Sequence, residues 1–184
     1  ELTKPEQLWV ADITYIPTRQ GHSYLSLVTD AYSKQIMGYH LSEDLGAEGC
    51  LKALVMAIKA RKYDHDLIHH SDRGLQYCSE SYQQILRAAA IKPSMTEKYD
   101  PYQNAVAERV NGILKDEFDL EQGFAQHLDA IEVIKESVAI YNQIRPHLSC
   151  GYLTPEQMHR QQERKLIKWK KKTSKAKALE VHLN

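Results

Sequence analysis

Cysteine is scarce in this chain. Cys50, Cys78 and Cys150 are the three in 184 residues; an odd number with no CxxC pair argues against a disulfide framework or a structural zinc site and fits a reducing compartment. Long apolar runs are also lacking. The longest, such as Leu51–Ile58, are too short and too interrupted to span a bilayer, and the opening ELTKPEQLW has no basic-then-apolar signal pattern. A soluble, intracellular protein without a membrane partner is expected. Glycine and proline are few, at 8 and 6, and 42% of residues are hydrophobic. That excludes a low-complexity or disordered chain, and the length suits one globular domain with a small appendage.

Net charge is absent as well, with 24 Lys+Arg against 24 Asp+Glu, but the balance hides a division. Residues 1–159 hold 15 basic and 22 acidic side chains, whereas residues 160–184 hold 9 and 2. A basic tail follows an acidic body. Such a tail attracts polyanions by counterion release, and it can equally keep a terminus soluble.

Leu8–Ile16 (LWVADITYI) is rich in aromatic and branched residues and reads as a central strand apolar on both faces, with Asp12 in its middle. A carboxylate there needs a cation, a donor network or a cleft. Ser23–Asp30 and Gln35–Leu41, joined by short links, complete an antiparallel meander. Ala47–Lys62 has apolar residues at helical spacing, Asp66–His70 reads as a fourth strand, and Asp72 lies just past its C-terminal end, where open α/β sheets place their chemistry. Ser79 caps a helix to about Ala89, and Ile91–Met95 is a short fifth strand. Thr96–Gln103 is a loop. His127–Asn142 repeats Leu128, Ile131, Ile134, Val138 and Tyr141 as an amphipathic helix, and Thr154-Pro155 starts a short one.

Between them, Asn104–Phe118 (NAVAERVNGILKDEF) is the stretch on which the rest depends. At about 100° per residue, Asn104, Glu108, Asn111 and Lys115 fall in a band of roughly 60° on one side of a helix. Val106, Val110, Ile113, Leu114 and Phe118 cover much of the other. Alone, that stripe is a solvated face. Set beside Asp12 and Asp72 in the order β-β-β-α-β-α-β-α, Glu108 becomes the third carboxylate at one edge of a mixed sheet. Hard oxygen donors without close histidine or cysteine suit Mg²⁺ or Mn²⁺, and two such ions about 3.5–4 Å apart can clamp an in-line phosphoryl displacement. Asp30 is read as turn or sheet structure rather than a metal ligand. His69 and His70 are read as one buried histidine bonded to backbone and one exposed neighbour.

WVADITYI around Asp12, LVTDAYSKQIMGYHLS through Asp30, LIHHSDRGLQYCS around Asp72, PSMTEKYDPYQNAVAERVNGILKDEF around Glu108 and YNQIRPHLSCGYLTPEQ carry a resemblance. The sequence resembles the catalytic core of an insertion-sequence transposase of the IS-three family, which is similar to the retroviral integrase core and belongs to the ribonuclease-H-like superfamily. Thirty-five residues separate Asp72 from Glu108, the interval that gives this acidic triad its usual name. Lys115 stands seven residues past Glu108, where the family carries a basic residue. Relatives often have glycine at the position of Tyr99 and aspartate at that of Gln103.

The resemblance implies an α/β ribonuclease-H-like fold with a five-stranded mixed sheet, three antiparallel strands and then two shorter ones. The core is expected over residues 1–159, with its triad within 8–120 and a helical part over 121–159; the tail, 160–184, is expected to be partly disordered or helical. Asp12, Asp72 and Glu108 would be the catalytic residues and hold two Mg²⁺ ions, replaceable by Mn²⁺. Lys115, Asn104, Asn111, Arg73 and Lys98 would contact double-stranded DNA, and Arg145 and His147 have either a family role or a packing role. Implied are cleavage at transposon ends and strand transfer by transesterification, by a homodimer or larger assembly in the bacterial cytoplasm at the nucleoid. Family members carry an upstream helix-turn-helix region for end recognition, which is not expected in this stretch. The alternatives are a ribonuclease-H-like nuclease that only hydrolyses, and a non-catalytic DNA-binding or assembly module.

Overall fold

The computed structural model describes residues 2–95 and 105–163. Five strands form one sheet: β1 Leu8–Thr18, β2 Gly21–Asp30, β3 Ile36–Ser42, β4 Ile68–Ser71 and β5 Lys92–Met95. Their spatial order is β3-β2-β1-β4-β5. β1, β2 and β3 pair antiparallel, whereas β4 joins β1, and β5 joins β4, in parallel. The mixed five-stranded sheet expected from sequence is therefore present. β1 is its central strand, as its two-faced apolar pattern required.

Six α-helices accompany the sheet among the described residues: α1 Ala47–Ala60, α2 Leu75–Cys78, α3 Glu80–Ala88, α4 Ala105–Glu117, α5 His127–Gln143 and α6 Pro155–His159. None is long and apolar enough to cross a membrane. Trp9 and Ala11 of β1 pack with Leu54 and Ala57 of α1 and Leu86 of α3 on one face. Ile16, Leu25 and Leu27 pack with Val110, Ile113 and Leu114 of α4 and Ile134 and Tyr141 of α5 on the other. Alternation along a strand thus sends Trp9, Ala11 and Ile13 toward α1 and leaves Asp12 on the α4 side. Gly38 lets α1 approach closely, since a Cβ there would lie 2.1 Å from the Ala53 carbonyl oxygen and 2.7 Å from the Ala57 nitrogen.

Some expectations need correction. α1 stops at Ala60 rather than Lys62 because the Lys62 and Tyr63 N–H groups turn away to donate to the Glu6 carboxylate, at 2.9 and 3.0 Å. The one-turn α2 lies between Asp72 and Ser79, a stretch for which the sequence alone assigns no element. On α5, Leu128 is 70% exposed and Ile131 is exposed too; the buried side is Ala130, Ile134, Ser137, Val138 and Tyr141. His69 and His70 are both buried. The His69 Nε2 meets the Tyr82 hydroxyl at 2.9 Å and the His70 Nδ1 meets the Ser94 hydroxyl at 3.1 Å, so neither is the exposed neighbour expected. The loop Thr96–Gln103, with Lys98, Tyr99, Asn104 and the tail from residue 164 onward, lies outside the described residues.

Candidate active site

Strand register alone draws two of the acids together. Val10 of β1 is paired with His70 of β4 in parallel, so two residues further on, where β4 has ended at Ser71, the chain carries Asp72 alongside Asp12. Neighbouring strands lie about 4.8 Å apart. The Asp72 carboxylate stays exposed and accepts the Gly74 N–H at 2.9 Å, which fixes the tight turn into α2. Glu108 approaches from the first turn of α4, on the exposed side of that helix.

Asp12 registers both neighbours. Its carboxyl is pushed up from 3.8 to about 6, chiefly by burial and further by the charges of Asp72 and Glu108. The Ile13 backbone N–H and the Asn111 amide act in the opposite direction. Among the described residues no three His, Cys, Asp or Glu side chains are drawn tightly enough to ligate an ion as they stand. The acids share one electrostatic field, not yet one coordination shell.

Asn111, expected from the resemblance to contact DNA, is tied to Asp12. It is only 7% exposed, and its Nδ2 donates to the Asp12 Oδ2 at 2.7 Å. It therefore faces Asp12, and its Oδ1 is buried without a partner. The signal was available in the stripe, because a residue three after Glu108 shares its side of the helix. A hydrogen bond to a charged group is worth about 1.5–3 kcal/mol. Asn111→Leu is expected to raise the Asp12 pKa by about one unit or more, measured by carbon-detected NMR titration of the carboxyl; an unchanged or lower value would contradict the contact.

The other candidates separate cleanly. Lys115 is half-buried on the Glu108 side of α4, and Arg73 is exposed beside Asp72. Asn104 and Lys98 lie outside the described residues. Asp30 is fully buried and accepts the Glu6 N–H at 2.7 Å, the Ser33 N–H at 2.8 Å and the Ser33 hydroxyl at 2.6 Å, a structural role as expected. Arg145 grips Glu117 with two bonds of 2.6 Å. His147 is buried edge-on to Tyr141, and burial with the nearby Arg145 charge pushes it down to about 4.

Comparison with known proteins bears on the family and the fold. An integrase core domain model matches residues 3–101, and a second integrase core domain model matches residues 89–155. The insertion element IS600 uncharacterized 31 kDa protein of Shigella sonnei is 40% identical over 154 residues, covering 83% of this chain and 57% of that protein. Transposase InsF for insertion sequence IS3A of Escherichia coli K12 is 37% identical over 158 residues, covering 83% of this chain and 54% of that one. The chain thus spans little more than half the length of these relatives. The HTLV-2 integrase catalytic core domain, solved in complex with magnesium, superposes with a TM-score of 0.67 at 20% identity over 85% of this chain and 97% of that one. A simian T-cell lymphotropic virus intasome chain gives 0.73 at 20% identity, over 96% of this chain and 62% of that one. The fold is that of the retroviral integrase cores, in the ribonuclease-H-like class. Matched over more than half its length by one family model, the chain belongs to the integrase core domain family.

Proposed function

We propose that this chain is the catalytic domain of a DNA transposase that cleaves DNA at transposon ends and joins the freed 3′-hydroxyl to another phosphodiester. The observation that carries the reading is Asp12, held in the central strand beside the end of β4, with its pKa raised chiefly by burial and further by the charges of Asp72 and Glu108. Relatives named as transposases, at 34–37% identity, support it.

The donor set fits hard divalent cations: three carboxylates and no thiolate or imidazole. Asp12, Asp72 and Glu108 would hold two Mg²⁺ ions, or Mn²⁺ in their place, which when bound polarise the phosphoryl oxygens and activate the attacking hydroxyl. The chain's own residues do the rest. β1 and the end of β4 fix two carboxylates on rigid backbone, while the Asn111 amide, donating to the Asp12 Oδ2, holds that carboxylate in place. Glu108 completes the set from a helix whose next two turns bring Lys115 to a DNA phosphate, and Arg73 offers a second cation beside Asp72. Cleavage consumes a water that attacks the phosphorus and leaves a 3′-hydroxyl and a 5′-phosphate; in joining, that 3′-hydroxyl displaces the 3′-oxygen of another phosphodiester, so the number of phosphodiesters is conserved. No covalent protein–DNA intermediate and no external energy source are needed. Both ends must be held together, so a homodimer or larger assembly acting on double-stranded DNA in the bacterial cytoplasm, at the nucleoid, is the working form.

The discriminating assay supplies the protein with a pre-cleaved element end, target DNA and Mg²⁺. Joined product is the expected outcome; hydrolysis with no joining would replace the transposase by a nuclease of the same fold.

A further inference from the structure

Around α4 from the carboxylate face lies a second cavity, of about 750 Å³. Ala105, Val106, Arg109 and Val110 bound it from the helix; the segment from Arg145 to Ser149, with Lys34 and Tyr152, closes the other side. Arg109 is one residue, about 100° of helical rotation, from Glu108, so this cavity and the acidic site occupy different sides of the same helix.

Its charge has one sign. Lys34, Arg109 and Arg145 line it, and among the described lining residues there is no carboxylate. Arg145 is neutralised by Glu117 outside the cavity. Arg109 is exposed and makes no ion pair among the described residues. The Lys34 ammonium donates to the Ala31 carbonyl, and burial lowers its pKa, which leaves a poorly hydrated cation. His147, 8% exposed, has its Nε2 buried without a partner. These groups ask for an anion. The walls ask for an apolar body: Val106, Val110, Pro146 and Leu148 supply them, and the Tyr152 ring stands 71% exposed at the rim.

Tyr152 is held there at a cost. Its φ is +65°, directly after Gly151 at +65°, and its N–H is tied to the His147 carbonyl at 2.9 Å. A side chain in the left-handed region costs about 1–2 kcal/mol, and bulky residues are true outliers there. Such outliers cluster at ligand clamps. Binding sites for small ligands are about 300–1,000 Å³, so the volume suits a nucleotide and is far larger than a single carboxylate side chain needs.

We propose that this cavity is a nucleotide subsite, which takes one unpaired nucleotide of a DNA strand with its phosphate on Arg109 and Lys34 and its base stacked on Tyr152. It rests on the DNA-processing reading of the chain. An unpaired base has a free π-face to stack, whereas a base within a duplex would have to be extruded at a cost of a few kcal/mol, so single strands and frayed ends are the preferred ligands.

The test uses the chain in EDTA, titrated with a short single-stranded oligonucleotide bearing one 2-aminopurine, whose fluorescence is quenched by stacking. Base–aromatic stacking is worth about 1–3 kcal/mol per base, so Tyr152→Ala should weaken binding about tenfold and abolish the quench. Tyr152→Phe should retain both, Arg109→Gln should weaken binding by a similar factor, and Lys52→Gln, which removes an exposed cation of α1 far from the cavity, should bind as the parent does. Quenching that survives Tyr152→Ala overturns the proposal. So does loss of binding in Lys115→Gln with none in Arg109→Gln, which would assign the oligonucleotide to the acidic face of α4 and leave the transposase reading standing. If instead the chain self-associates in sedimentation, Arg109→Gln abolishes that and the oligonucleotide is unaffected, an acidic side chain of a second copy is the occupant and the nucleotide subsite is refuted.

Discussion

Asp12→Asn is expected to lose Mg²⁺-dependent cleavage and joining by about 10³-fold or more, since several kcal/mol of charge stabilisation depend on bound metal, while the metal-free protein becomes more stable. The two effects have one cause. The folded chain raises the Asp12 carboxyl from 3.8 to about 6, so ionising it opposes folding. The sign follows directly: with the folded pKa above the unfolded one, the penalty is absent below about pH 4, grows between 4 and 6, and is fully present at neutral pH. Two units correspond to about 3 kcal/mol, reduced somewhat because Asp12 is not fully buried. An asparagine keeps the Asn111 contact, its carbonyl oxygen accepting from Nδ2, and carries no charge. Thermal melts in EDTA at pH 7 should therefore show Asp12→Asn above the parent by several degrees. Asp72→Asn and Glu108→Gln should be equally inactive with little change in stability, because both side chains are exposed. Full activity in any one of the three variants would sink the triad assignment. A destabilised Asp12→Asn would contradict the raised pKa.

The central strand could be read from sequence because LWVADITYI has no polar face to give to water, and such a strand must lie inside a sheet. That Asp12 and Asp72 gather at one edge of a mixed sheet could be read as well from the element order; the parallel pairing that sets the end of β4 beside the middle of β1 comes from the structure. What periodicity does not contain is depth. Asn111 and Glu108 share a stripe, yet one is buried against Asp12 and the other is exposed, because the stripe straddles the line where α4 leaves the sheet. On α5 the larger side chains misled. Ala130, Ile134, Ser137 and Tyr141 fall within about 60° of one another, and their smaller members let the helix lie close, whereas Leu128 points away despite its hydrophobicity. The cluster of Glu6, Asp30 and His159 was beyond reach for another reason. Its members come from distant parts of the chain, and no local pattern marks residues that meet only after folding.

That cluster carries the second large effect. Asp30→Ala is expected to lower the unfolding free energy by about 3–5 kcal/mol, the cost of leaving buried ionic partners uncompensated. Glu6, Asp30 and His159 are all fully buried. The His159 Nε2 meets Glu6 Oε1 at 3.1 Å, and its Nδ1 meets the Ser33 hydroxyl at 2.9 Å, which itself donates to Asp30 at 2.6 Å. Arg61 Nε lies 3.8 Å from Glu6. The cluster thus ties the segment before β1 to the end of β2, the end of α1 and α6, so its loss would free three boundaries of the fold together. Burial alone would depress the His159 imidazole, but the hydrogen bonds and charges of Asp30 and Glu6 outweigh it and hold its pKa above the ordinary histidine value. A raised folded pKa contributes stability that is complete below the unfolded value, about 6.5, and is lost as pH rises through the folded value. Urea unfolding should accordingly show the parent weakening as pH is raised above 6.5, with that slope much reduced in His159→Gln. The same measurement decides the role of Asp30. If Asp30→Ala unfolded at the parental urea concentration yet lost Mg²⁺-dependent joining, Asp30 would belong to the catalytic site; a large stability loss, with joining restored wherever the variant is folded, keeps it in the frame that holds β1 and Asp12 in place.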